Sequence, residues 1–142
     1  FAVVAKLALL THIFVFVLYV FCGKIFAHLS GWPSMRLPFF LLRGAVGALA
    51  VIAAQLVLAM MIRSFAVPIF LGLVGGVTGM FAGSKGFALA WPYCLMQAGM
   101  NANKKEDVLS DGYGLFVLSC VLWLMVLFVL AGWILKKKDV RA

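Results

Sequence analysis

The side chains that could carry chemistry are few and widely separated. There are two histidines, His12 and His28, three cysteines, Cys22, Cys94 and Cys120, and four acids, Glu106, Asp107, Asp111 and Asp139. A membrane haem needs axial ligands that face one another at matched depth. Sixteen residues of straight helix would hold His12 and His28 about 24 Å apart along the axis. His12 is therefore expected to face a helix bundle as a polar residue that could line a path, and His28 to lie at an interface. The cysteines form no CxxC pair, so neither a disulfide framework nor a structural zinc site is indicated. No GxxxxGK[ST] phosphate loop, HExxH, GxSxG or paired acidic motif occurs. All four acids fall outside the apolar stretches, which argues against a carboxylate relay through a membrane. No catalytic, metal-binding or cofactor-binding residue is expected in this chain.

Two patterns within the apolar stretches call for partners. Gln55 sits among Ala53, Ala54, Leu56 and Val57, where its amide must meet another helix or line a path. Gly72, Gly75, Gly76, Gly79 and Gly83 form overlapping GxxxG pairs. Residues four apart stack on one helix face, and glycine lets backbones approach closely. That face is expected to serve packing within the chain, a dimer interface, or a sliding surface. Gly44, Gly47 and Ala48 make a weaker small-residue face.

The elements that must position these residues follow from composition. Hydrophobic residues make up 66% of the 142 and charged residues 11%, whereas a soluble domain is about half apolar and about a quarter charged. Mean hydropathy is +1.17. This excludes a soluble globular domain, a disordered chain and a fibrous protein. Four apolar stretches, approximately 3–22, 39–62, 66–84 and 113–135, each approach the roughly 20 residues that a helix needs to cross a bilayer. They do not alternate apolar and polar, so barrel strands are excluded. The expected fold is an all-α integral membrane protein with four transmembrane helices. The connection from Gly83 to Gly112 has an apolar middle, Ala88 to Met96, too short to span. An interfacial or re-entrant helix is expected there, between the third and fourth spans. Trp32, Trp91, Tyr93, Tyr113 and Trp133 fall near span ends, as an aromatic belt would.

The net charge is +8. The cations lie between and beyond apolar runs, where they meet water or anionic headgroups, so the bilayer is the expected partner and nucleic acid is not. Four spans put both termini on one side. That side would carry Lys6, Arg63, Lys136, Lys137, Lys138 and Arg141, against Lys24, Arg36, Arg43, Lys85, Lys104 and Lys105 on the other. The two counts tie. The compact Lys136–Lys138 run favours a cytoplasmic C-terminus. Arg43 is expected inside the second helix near its end, able to snorkel.

The run Gln55-Leu-Val-Leu-Ala-Met-Met-Ile-Arg-Ser-Phe-Ala-Val-Pro-Ile69 resembles the junction between two helices in bacterial ABC export permeases of the second type. It most resembles the lantibiotic-protection and bacitracin-like peptide export subfamily. Glycines 72 to 83, Trp91-Pro92-Tyr93 and Leu135-Lys-Lys-Lys-Asp-Val140 follow in the same order. The resemblance covers roughly Arg43 to the C-terminus. It implies a six-helix permease of which this chain supplies the last four helices. It also implies pairing with a copy or a sister subunit, and cytoplasmic ATPase subunits that hold the ATP and Mg. Arg63, Lys136, Lys137 and Lys138 would be cytoplasmic anchors, and the Trp91–Gly112 connection would face outside. The substrate implied is an antimicrobial peptide cleared from the bacterial cell membrane. A non-transporting anchor or assembly subunit, and an intramembrane enzyme or redox subunit, are the rival expectations.

Overall fold

The computed structural model describes residues 1–28, 36–101, 107, 109 and 112–139, with the side chains at 138 and 139 excepted. The expected Trp32 anchor, Lys104, Lys105 and Arg141 lie outside the described residues. The chain is all-α. Helix α1 (Ala2–Phe21) continues into a π-helical turn, Cys22–Phe26. Helices α2 (Arg36–Met61), α3 (Ala66–Ser84), the short α4 (Pro92–Gly99) and α5 (Tyr113–Asp139) follow. Among the described residues, α1 with its continuation, α2, α3 and α5 are long and apolar enough to cross a membrane. The protein is thus a multi-pass membrane protein by the length and composition of its helices.

The core lies where α2, α4 and α5 meet. Helix α2 buries Gly44, Gly47, Ala48, Ala50, Ala53, Ala54 and Val57, a stripe of small residues at helical spacing that lets neighbours come close. Ala50, Leu95, Leu109, Phe116 and Cys120 form one cluster, and Ala53, Ala54, Val57, Leu127 and Ile134 a second. Helix α1 buries no residue. It runs along α2, its residues Ala5, Leu9 and His12 sharing one cleft with Leu42, Val46 and Leu49 and its Phe16 sharing another with Pro38, and Phe1 meets Phe128 of α5 edge-on at 4.9 Å.

The expected short helix between the third and fourth spans is α4. Helix α3 ends in a Schellman cap: Gly86 takes φ 86°, and Phe87 N–H donates to Ala82 O at 3.0 Å. Only a residue without a Cβ adopts that φ readily. The chain then turns back, and Pro92 starts α4 at the position where a missing N–H costs nothing. Helix α4 ends where Asn101 enters the left-handed region at φ 52°. It packs inside the bundle beside the N-terminal half of α2, with Gly99 against Arg43 and Leu95 against Gly47.

Candidate functional site

Two polar contacts anchor α4 and the segment after it. The first is built on Arg43, whose side chain is 3% exposed. Its Nη1 donates to Asp107 Oδ2 at 2.8 Å and its Nη2 to Oδ1 at 3.0 Å. This forked geometry is the strong form of an ion pair. Phe39, Phe40 and Tyr113 surround the guanidinium, with ring centroids 5.2 to 5.9 Å from Cζ, adding cation–π attraction. Asp107 Oδ1 also accepts from Leu109 N at 3.0 Å, which holds the buried Leu109 in the core. The hydrogen bonds from Arg43 hold the Asp107 carboxyl below its ordinary range. Arg43 Nε has no partner among the described residues.

The outcome differs from the snorkelling expected for Arg43. Its position faces α4 and α5, so the cation turns inward to a carboxylate that arrives 64 residues later in the chain. That carboxylate lies outside the spans, as expected, yet it reaches into the bundle. No spacing rule could have joined Arg43 to Asp107.

The second contact joins α2, α3 and α4. Gln55 Oε1 accepts from Tyr93 Oη at 2.8 Å and from Gly72 N at 3.3 Å, while Nε2 donates to Pro68 O at 3.1 Å. This is the amide orientation that suits every neighbour. Tyr93 seats its ring over Gly75 and its backbone against Gly79. The Cys94 thiol donates to Gly79 O at 3.0 Å. The glycines of α3 therefore divide. Gly72 faces Gln55, Gly75 and Gly79 receive Tyr93, and Gly76 and Gly83 face open space. Tyr93, read from sequence as an interfacial aromatic, is instead the knob that fills the glycine notch.

The remaining candidates lie apart. His12 Nδ1 donates to Ala8 O at 2.8 Å, since a carbonyl can only accept, and its Nε2 has no partner among the described residues. It lines the clefts between α1 and α2, away from Gln55. Arg63 lies just beyond α2, and Lys136 and Lys137 are in the last turns of α5, with Lys137 Nζ 3.8 Å from the Trp133 ring centroid. No group of three or more metal-ligating side chains occurs among the described residues. Comparison of the chain with protein-family models, curated proteins and solved structures returns no match.

Proposed function

We propose that this chain is the membrane-spanning permease subunit of an ATP-driven exporter in a bacterial cell membrane, expelling an antimicrobial peptide of the lantibiotic type. The observation that carries the reading is α4. A short helix between the last two spans, turned back into the bundle, fits the extracellular re-entrant element that the resemblance to second-type export permeases implies. The sequence order of Gln55–Ile69, the glycine run and the lysine tail supports it further. With no phosphate-binding loop in the chain, ATP and Mg belong to cytoplasmic ATPase subunits, and a copy or sister permease completes the transporter. Arg43 is neutralised inside the bundle, which leaves five cations on its side against six on the side of the termini. The Lys136–Lys138 run is what favours a cytoplasmic tail.

The test is co-purification from cells that carry the neighbouring genes, with survival under peptide challenge. The exporter reading expects an ATPase to accompany the chain and survival to fall when the chain is deleted. A second reading, an anchor or assembly subunit, draws on Gln55 and Tyr93 and on the Arg43–Asp107 pair, whose groups bond to each other within the chain. Recovery of a complex without an ATPase, with unchanged survival, would select it.

A further inference from the structure

The last turns of α5 join an apolar face to a cluster of cations. Met125, Val126, Val129, Leu130 and Trp133 line a shallow groove made by α5 alone, and all five are exposed. Residues four apart stack on one helix face, so Met125, Val129, Trp133 and Lys137 make one line. That line closes with Lys137 Nζ 3.8 Å from the Trp133 ring centroid. Lys136 and Lys137 are exposed, and Lys138 and Arg141 follow in the sequence against the single acid Asp139. The other three acids fall at 106–111, and Asp107 is held by Arg43 near the far end of α2. Ala50 shares a cluster with Phe116 and Cys120, and Val57 shares one with Leu127 and Ile134. Helices α2 and α5 therefore run parallel. The exposed Arg63, just past α2, lies at the same end of the bundle as Lys136 and Lys137.

We propose that this end of α5 binds an anionic phospholipid, with one acyl chain in the groove and the phosphate on Lys136 and Lys137. From Met125 to Trp133 is about 12 Å by helical rise, close to the roughly 15 Å of one leaflet's hydrocarbon. The indole lies between groove and cations, the place such rings take beneath headgroups. Its face holds the Lys137 ammonium at that boundary by cation–π attraction. Charge selects the lipid, because an anionic headgroup gains from each nearby lysine and a zwitterionic one does not. A partner helix on the same face would need carboxylates placed level with the lysines, whereas the lipid carries its anion at that level already. The site goes beyond the exporter reading and holds whether or not the chain moves a peptide.

For the experiment, the full chain is reconstituted in phosphatidylcholine vesicles. A rising fraction of the lipid is replaced by phosphatidylglycerol with dibrominated acyl chains, or by phosphatidylcholine with the same chains. Bromine quenches nearby tryptophan, and the Trp133 signal is the difference between the parent chain and Trp133→Phe. Phosphatidylglycerol is expected to quench it at about tenfold lower fraction than phosphatidylcholine. The double variant Lys136→Gln with Lys137→Gln should bring the two lipids within about twofold. Both lysines are exposed, so its helicity should match the parent chain. Lys85→Gln removes one charge just past α3, at the opposite end of the bundle, and should leave the preference unchanged. Added glycerol 3-phosphate should not relieve the quenching, since it has no acyl chain for the groove. Equal quenching by the two lipids, relief by glycerol 3-phosphate, or a preference that survives the double variant would each overturn the proposal. So would loss of the preference in Lys85→Gln, which would assign it to bulk charge. A Trp133 quenched by neither lipid would overturn it too, since a second copy or another subunit would then cover the groove.

Discussion

Arg43 is a buried cation that a single carboxylate makes tolerable, and its energetics are set by what remains when that partner is removed. Asp107→Asn leaves the guanidinium inside the aromatic cage with no countercharge. We expect a loss of about 2 kcal/mol, below the roughly 3–5 kcal/mol of a fully enclosed pair because Asp107 is partly open. Thermal unfolding in detergent checks this. The double change Arg43→Met with Asp107→Leu should restore much of the loss, because it removes both desolvation costs together. The pH dependence has a definite sign. Arg43 lowers the Asp107 pKa in the folded state. The pair's contribution is therefore complete above the ordinary carboxylate range, near pH 3.9, and is lost as pH falls through the lowered value. The midpoint of the parent chain should drop below about pH 4 by more than that of Asp107→Asn; parallel curves would show that the pair does not contribute.

At the scale of elements, α4 is held by backbone approach, which makes glycine the residue to test. A Cβ at Gly47 would stand 2.5 Å from the Leu95 carbonyl group, and one at Gly79 would stand 3.2 Å from that of Tyr93. Neither obstacle is the end of a flexible side chain. Gly47→Leu and Gly79→Leu should leave insertion intact, since leucine suits lipid, while driving α4 from its seat and forfeiting contacts along a turn. Cross-linking between engineered cysteines on α4 and α2 reads this directly and should fall to background. Gly76 and Gly132 face open space, so Gly76→Leu and Gly132→Leu should keep the cross-link. A loss of oligomer size in Gly76→Leu alone would identify that position as a contact between subunits. Gln55→Leu should loosen α3 from both α2 and α4, because one amide serves Pro68, Gly72 and Tyr93.

For the whole molecule the expectations concern sidedness and coupling. A phosphatase fused after Ala142 should be inactive outside the cell if the Lys136–Lys138 run holds the tail in the cytoplasm; an active fusion would reverse the topology. The purified chain alone should not hydrolyse ATP, since it carries no phosphate loop. Robust hydrolysis by the isolated chain would remove the permease reading.

The four spans and the short helix after α3 were legible in the sequence because each rests on a local property: about twenty apolar residues fill a bilayer, and glycine and proline punctuate a chain wherever it folds. The bounds of α3, 66–84, agree for that reason. Gln55 was likewise legible as a group in need of a partner, because a lone amide among alanines and valines has no local way to satisfy itself. What it bonds was not legible. Tyr93 looked interfacial because an aromatic near a span end is common in any membrane protein, and nothing nearby showed that α4 would turn inward onto Gly75 and Gly79. Arg43 and Asp107 illustrate the same limit more sharply. Each reads alone as a residue near water, and only the packing of α4 and α5 against α2 brings them together. That meeting depends on the relative depth and rotation of helices. Those are set by shape complementarity along the small-residue stripe of α2, a property of surfaces in contact that no single segment contains.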